Sequence, residues 1–180
     1  MCTVEPIRKI SDIKKIENYF FKHSIRDLLI FTIGINCGLR ISDILSLDVG
    51  DVKNKNFIQI IEKKTGKFKK VPINSKLKPM LQVFTKNRAA NEPLFLSVYG
   101  NRLDRIMAYR IINTACKNLN IEEHVGTHTL RKTFGYHHYK QFKDIAILQK
   151  ILNHSSPQIT MRYIGLEQDT IEKSYSKFIL

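Results

Sequence analysis

The segment from residue 25 to about residue 36 constrains the fold more than any other part of the chain. It is apolar on nearly every side of the helix that it predicts. Ser24 precedes it and Gly38 follows it, and both residue types commonly cap helix ends. Because a helix that is hydrophobic all round must be buried, we expect this one to lie at the centre of the protein.

Amphipathic segments on both sides of this helix predict further helices that surround it. A long one, residues 102–119, is expected to turn Ile106 and Tyr109 inward with the rest of its apolar side. The other predicted helices begin at or next to these residues: Ser11, Ser75, His128, Ile145, Pro157, and Asp169 or Thr170.

One part of the chain predicts a sheet. Two β-rich segments, residues 57–61 and 68–73, flank a turn that contains Gly66 and has Lys64 at its tip. The predicted fold class is therefore mainly α with a small antiparallel β-hairpin, an α+β arrangement. A chain of 180 residues has the size of a single domain.

The chain carries a large excess of positive charge. Thirty Lys and Arg residues against sixteen Asp and Glu give a formal net charge of +14. This balance predicts a polyanionic partner, with nucleic acid as the first candidate and an acidic membrane surface as the second. No lipidation signal or basic amphipathic terminal helix favours the membrane. The longest hydrophobic stretch, residues 28–35, is far shorter than the roughly 20 residues that span a bilayer.

The cysteines and histidines give no indication of a metal or cofactor. Cys2, Cys37 and Cys116 are odd in number and far apart, which predicts neither a disulfide framework nor a cysteine metal site. His137 and His138 are adjacent and so point apart on a helix. With no signal peptide expected, we predict a cytoplasmic protein in a reducing compartment.

Residues 127–163 contain several side chains suited to binding phosphate. Thr127 is expected to cap a helix in which His128 is the first residue and Arg131 the fourth, so that both lie on one side of its first turn. The free N–H groups and the dipole of a helix N-terminus favour an anion there.

The second half of that stretch adds an imidazole and a phenol. Asn153 is expected to end a helix in the left-handed conformation, so that His154 projects from a loop. Ser156 then caps a helix that starts with Pro157, and Tyr163 falls nearly two turns later. Each of these residues alone is most often structural. Their combination indicates the handling of a phosphate diester.

Arg40 lies on the short connection after the central helix. Its position between a buried helix and a capped turn, opened by Ser42 or Asp43, predicts a fixed and partly enclosed guanidinium that clamps a phosphate through two N–H groups. Asp43 has two equal interpretations, since it would either orient Arg40 or cap the next helix.

Taken together, these residues resemble the catalytic domain of tyrosine recombinases, the phage integrase family. Gly-Leu-Arg-Ile-Ser-Asp at residues 38–43 is similar to the first arginine box, and His-Thr-Leu-Arg at residues 128–131 to the His-x-x-Arg box. Leu-Asn-His-Ser-Ser at residues 152–156 and Tyr163 complete the set. The hairpin turn resembles the family's catalytic-lysine turn, and Lys64 is chosen because the family lysine lies eight residues before the hairpin proline, here Pro72.

The resemblance implies a site-specific DNA recombinase or integrase from a phage or mobile element. Tyr163 is implied as the nucleophile, His128 as its base and Lys64 as the acid that protonates the leaving 5′ oxygen. The remaining implied site residues stabilise charge on the phosphate: Arg40, Arg131 and His154. The implied 3′-phosphotyrosine intermediate keeps the bond energy, so rejoining needs neither ATP nor a metal.

Two departures from the family pattern bear on these expectations. Asn153 replaces the usual glycine, and both residues tolerate a left-handed cap. The catalytic pattern begins by Ser11, so residues 1–180 are expected to form a single catalytic domain without the N-terminal DNA-clamping domain. This would make the chain either an excised domain or a minimal recombinase.

The expected partners are double-stranded DNA and further copies of the chain. The family works as DNA-bound tetramers, and the segment from residue 169 to 180 would dock on a neighbour or on its own domain. Two other functions stay open. The same residue set serves type IB topoisomerases, and a non-catalytic DNA-binding module needs only the positive charge.

Overall fold

The computed structural model describes residues 4–179, without the side chains at 167–170, 172 and 173. The described part forms nine α-helices, a short 3-10 helix and one two-stranded antiparallel sheet. The helices are α1 (Ile10–His23), α2 (Ile25–Cys37), α3 (Ile41–Ser46), α4 (Leu77–Thr85), α5 (Arg105–Asn118), α6 (Thr129–Phe142), α7 (Ile145–Leu152), α8 (Pro157–Tyr163) and α9 (Leu166–Lys177). The strands are β1 (Phe57–Ile61) and β2 (Phe68–Pro72). The predicted fold class is confirmed.

Helix α2 is the central element, as its apolar sequence predicted. The Ser24 hydroxyl accepts a hydrogen bond from the N–H of Asp27, and Gly38 ends the helix with a φ of 59°. Helices α1, α4 and α6 pack against it. A Cβ atom on Gly34 would lie 2.6 Å from the side chain of Leu130, so glycine allows α6 to approach closely. No helix in the described part of the chain is long and apolar enough to cross a membrane.

The predicted hairpin is present, and its two faces differ clearly in burial. Phe57 pairs with Pro72 and Ile61 with Phe68, whereas Ile58 on the inner face is fully buried. Ile61 on the outer face is 70% exposed. The alternation of a strand directs every second side chain, including the one that follows β1, toward the body of the protein.

Two hydrophobic clusters hold the helices, and α6 contributes to both. Leu130, near the start of α6, belongs to the main core around α2. Tyr136, two turns later, packs with Leu148, Leu152 and Ile164 in a smaller cluster. Helix α6 therefore fixes the α7–α8 region to the main core, and its first turn lies where the two parts meet.

Some predicted helix starts are wrong by two to four residues. Helix α1 begins at Ile10, so Ser11 lies inside it. Asn74, not Ser75, accepts the hydrogen bond from the N–H of Leu77 that opens α4. The last helix begins earlier than predicted, at Leu166 after a left-handed Gly165. The side chains of the two predicted starts, Asp169 and Thr170, lie outside the part of the chain that the structure describes.

The predicted inner face of α5 is partly wrong. The helix starts at Arg105, because the Asp104 carboxylate accepts a hydrogen bond from the N–H of Met107. Ile106 is 65% exposed and Tyr109 is 41% exposed. The predicted inward residues Ile112, Ala115 and Cys116 are buried, and Ala108 completes this stripe of small and medium side chains.

Two of the three cysteines are buried free thiols. Burial raises the pKa of both Cys37 and Cys116 to about 12. They act as small hydrophobic residues of the core, as predicted for Cys37. Cys2 lies outside the described residues.

Candidate active site

The first turn of α6 begins one residue later than predicted. His128, and not Thr127, is the residue before the helix. The hydroxyl of Thr129 instead accepts a hydrogen bond of 2.9 Å from the N–H of Gly126. His128 and Arg131 remain three residues apart, so they still lie beside each other at the start of α6.

Arg131 connects the two loops that carry the other candidate residues. Its Nη1 donates to the carbonyl oxygen of Gly38 (2.8 Å) and its Nη2 to that of Leu152 (2.6 Å). Both carbonyls lie at helix C-termini, which lack partners within the helix. The Arg131 side chain is 3% exposed. Because Gly38 lies two residues before Arg40 and Leu152 two before His154, Arg131 fixes both loops relative to α6.

Arg40 is the residue before α3, which begins at Ile41 and not at Ser42 or Asp43. Its Nη1 lies 2.8 Å from Oε1 of Glu62, and its side chain is 14% exposed. The guanidinium is thus partly enclosed, as predicted. Neither interpretation of Asp43 matches its contact, because its carboxylate accepts a hydrogen bond from the N–H of Lys63 (3.1 Å) and so ties the hairpin to α3.

The loop between α7 and α8 has the predicted geometry. Asn153 is left-handed with a φ of 55°, and the Ser156 hydroxyl accepts the capping hydrogen bond from the N–H of Ile159. His154 projects from this loop. Its Nδ1 lies 3.1 Å from the hydroxyl of Thr160, which is fully buried.

Tyr163 is the last residue of α8 and lies against the other candidate residues. Its hydroxyl is 3.5 Å from Nδ1 of His128. The centre of its ring lies 4.9 Å from the centre of the His154 ring, in an edge-to-face arrangement. The ammonium of Lys132 lies 5.3 Å from the centre of the Tyr163 ring. The Tyr163 phenol therefore lies beside candidate residues of its own chain.

Burial and positive charge set the protonation of these groups. Burial raises the pKa of Tyr163, and the charges of Arg131 and Arg40 oppose that rise. Burial, followed by the charge of Arg131, lowers the pKa of His128 and lowers that of His154 to about 4. At neutral pH the phenol is therefore protonated and both imidazoles are neutral.

Lys64 lies at the edge of this group. It is exposed on the hairpin turn, and its positive charge is one of those that lower the pKa of His128. Five of the predicted residues thus lie in one group. Arg40 and Arg131 both lie beside Glu62, and Tyr163 contacts His128 and His154 and is affected by the charges of both arginines. The sixth, Lys64, stands beside them on a turn.

Two buried charged residues of the hairpin were missed from the sequence. Glu62 is fully buried between Arg40 and Arg131. Lys69 donates from Nζ to the carbonyl oxygen of Ile151 (2.8 Å), and burial together with the charge of Arg131 lowers its pKa to about 8. The strand alternation contained the signal, since it assigns Glu62 to the inner face with Ile58, and Lys69 to the inner face with Val71.

Comparison with known proteins identifies the family and the fold. The sequence pattern of the phage integrase family matches residues 4–169. The chain is 49% identical over 179 residues to the probable integrase/recombinase YoeC of Bacillus subtilis, covering 99% of this chain and 98% of YoeC. It is 32% identical to tyrosine recombinase XerC of Chromobacterium violaceum, over 83% of this chain and 51% of XerC.

Solved structures share the fold. The crystal structure of XerA recombinase has a TM-score of 0.77 at 23% identity, over 97% of this chain and 66% of XerA. The post-cleavage complex of the XerH site-specific recombinase with palindromic difH has a TM-score of 0.76 at 20% identity, over 98% of this chain and 54% of XerH. The chain thus spans about half the length of the XerC and XerH proteins that it matches.

The chain belongs to the phage integrase family, as the catalytic domain of a tyrosine recombinase, a class of enzyme that breaks and rejoins DNA. The family predicted from the sequence motifs is confirmed.

Proposed function

We propose that residues 1–180 act as one catalytic domain that cleaves and rejoins single strands at a specific duplex DNA site through Tyr163. The observation that carries this proposal is the position of the phenol. Its hydroxyl lies 3.5 Å from His128, and its pKa responds to the charges of both Arg131 and Arg40. In this proposal the phenol is the nucleophile, His128 is the base, and the two arginines receive a single phosphate.

Arg40 and Arg131 bind the scissile phosphate in this proposal. As the phenol oxygen attacks, negative charge grows on the non-bridging oxygens of the phosphate, and guanidinium groups that are already oriented stabilise it. Arg131 uses two of its five N–H groups on Gly38 and Leu152, which leaves three for substrate. Its fixed orientation is what makes it effective.

His128 accepts the proton of Tyr163. The phenol must lose this proton as its oxygen forms a bond to phosphorus, and its raised pKa means that a base is required. His128 is neutral at pH 7 because burial and nearby cations lower its pKa. Its Nδ1 is therefore free to act as the acceptor.

His154 donates a hydrogen bond to the phosphate from Nε2. A neutral imidazole carries a proton on that atom only when Nδ1 is an acceptor. The hydroxyl of Thr160 lies 3.1 Å from Nδ1 and donates to the carbonyl oxygen of Ser156 at 3.2 Å. It supplies the matching donor once its single proton turns from Ser156 to Nδ1, and the proposed reaction requires that rotation.

The leaving 5′ oxygen takes its proton from Lys64. The bond between phosphorus and this oxygen breaks as the bond to the Tyr163 oxygen forms, which leaves a 3′-phosphotyrosine ester and a free 5′ hydroxyl. The exposed hairpin turn carries Lys64 on the side of the molecule where DNA would bind. The reverse reaction rejoins the strand with no energy source.

Double-stranded DNA is the proposed partner, in an oligomeric complex within the cytoplasm. The net charge of +14 supports the binding of DNA. Lambda integrase has been solved as a dimer on a core site and as a tetramer on a Holliday junction. In this chain α9 exposes Ile171 and Tyr175, and Phe178 directly after it is also exposed, so that all three are available to a second copy.

A covalent trap tests this function. A nicked suicide duplex made from the DNA that flanks the coding gene is incubated with wild type and with Tyr163→Phe. We expect a protein–DNA adduct that survives denaturation for wild type only, with unchanged DNA affinity for the variant. An adduct with Tyr163→Phe would refute the role of Tyr163. Relaxation of any plasmid without site preference would indicate topoisomerase activity instead.

A further inference from the structure

A fully buried carboxylate, that of Glu62, lies beside the two arginines and has no role in the steps above. Its side chain is 0% exposed. Its two oxygens have different neighbours. Oε2 accepts hydrogen bonds from Thr65 Oγ1 (2.8 Å) and from Asn153 Nδ2 (3.1 Å). Oε1 faces Arg40 Nη1 at 2.8 Å.

We propose that Glu62 is a positioning residue that sets the guanidinium of Arg40 against the scissile phosphate. This inference rests on the role proposed for Arg40. Arg131 does not depend on the carboxylate in the same way, because two backbone carbonyls hold it and Glu62 lies 3.8 Å away. For Arg40, Glu62 is the ion partner that the described part of the chain provides.

The carboxylate is itself fixed from two directions. Thr65 belongs to the hairpin turn that carries Lys64, and Asn153 precedes His154 in the α7–α8 loop. These neutral donors occupy one oxygen and so orient the other toward Arg40. The ammonium of Lys69, 3.7 Å from Oε1, encloses the pair further. One carboxylate therefore joins the hairpin, the α3 side of the site and the His154 loop.

Glu62 stays ionised under all working conditions. Burial alone would raise its pKa, but the hydrogen bonds from Thr65 and Asn153 and the charge of Arg40 lower it to about 2. An anion near the reacting phosphate also has an unfavourable effect, because it repels the charge that builds up there. Removal of the anion therefore has two opposite consequences, which are loss of orientation and gain of net positive charge.

We expect the loss of orientation to dominate. The Arg40 side chain has about four rotatable bonds, so it adopts many conformations once residue 62 is neutral. Stabilisation of a transition state requires groups that are already in place. The Glu62→Gln variant keeps the shape and the two hydrogen-bond positions at Oε2 but removes the charge that holds Arg40. It causes both effects without creating a cavity, so the direction of the rate change shows which effect is larger.

The test compares rates of adduct formation in single turnover on the nicked duplex. Glu62→Gln, Arg40→Ala and a matched control, Glu92→Gln, are measured with wild type. Glu92 pairs with Arg88 at 3.0 Å outside the site and its side chain is 40% exposed, so its variant shows the effect of removing one carboxylate charge from the surface. Each protein is also assayed for DNA affinity and for its urea midpoint. A second duplex carries a methylphosphonate at the scissile position, which makes that group neutral.

For Glu62→Gln we expect a rate about tenfold to a hundredfold below wild type, with DNA affinity within about threefold. The loss should shrink on the methylphosphonate duplex, because a neutral group has less charge for Arg40 to stabilise. Glu92→Gln should match wild type. A Glu62→Gln rate at or above wild type, or an equal loss on both duplexes, would overturn the inference.

Two further measurements distinguish a failure of the role of Glu62 from a failure of the role of Arg40. If Glu62→Gln does not fold, Thr65→Val and Asn153→Gly replace it, since each loosens the carboxylate without removing it. We expect a several-fold rate loss from each, and wild-type rates from both would overturn the inference. If Arg40→Ala forms adduct at the wild-type rate, the proposed role of Arg40 fails, whatever Glu62→Gln does.

Discussion

Replacement of Arg131 by lysine is expected to destabilise the folded protein as well as to stop the reaction. The guanidinium donates to two buried carbonyl oxygens that belong to residues 38 and 152, far apart in the chain. A lysine ammonium at the same position keeps the charge but reaches only one of these carbonyls, because it lacks the planar fork of donors. Arg131→Lys therefore isolates the contribution of the second hydrogen bond.

The magnitude follows from the two contacts. A hydrogen bond that involves a charged group contributes about 1.5 to 3 kcal/mol, so loss of one should lower the free energy of unfolding by that amount. For a domain of this size, 1 kcal/mol corresponds to about 2–4 °C in Tm. Arg131→Lys should thus melt about 3–12 °C below wild type, and Arg131→Ala further below.

Thermal and urea unfolding measure the effect, with Arg40→Lys as the comparison. Arg40→Lys retains an ion pair with Glu62 and breaks no contact to a buried carbonyl, so its Tm should change by no more than about 3 °C. Both lysine variants should bind DNA and form little adduct. An Arg131→Lys protein that melts with wild type, or an Arg40→Lys protein that melts as low as Arg131→Lys, would refute this reasoning.

Two further predictions concern the imidazole of His154. Thr160→Val should slow adduct formation by about tenfold, because Nδ1 loses its hydroxyl partner, and Thr160→Ser should restore the rate. The urea midpoint should fall as the pH decreases from 6.5 to 4. The pKa of His154 is about 4 in the folded protein and 6.5 when unfolded, so in this window the unfolded chain binds more protons and acid favours it. Replacement of His154 by glutamine should reduce this dependence, and an unchanged pH profile would contradict it.

The local elements were predictable because their signals lie within a few residues of sequence. Ser24 and Gly38 marked the ends of α2, and Asp144 the start of α7. The left-handed Asn153 was likewise predicted from its place after an apolar helix. Capping and turn chemistry act over one to four residues, and a sequence pattern records them directly.

The errors occurred where residue type alone does not decide between neighbouring caps or between the faces of a helix. Thr127 is a suitable cap by residue type, yet α6 begins at Thr129, whose hydroxyl is bonded to the N–H of Gly126. Tyr109 and Ile106 are large and apolar but lie outside α5's buried stripe, because the stripe's small side chains allow close packing. Which face of a helix is buried depends on what packs against it.

From sequence alone, the order of the motifs predicted the family and the candidate site residues, and the periodicity predicted a helical domain with one hairpin; the family and the fold class are confirmed. Only the tertiary structure decided how those residues are held. Arg131 binds a carbonyl 93 positions away, and Glu62 accepts a hydrogen bond from Asn153, 91 positions away. Such contacts form when the chain closes on itself, because burial then requires each charge and each carbonyl to find a partner.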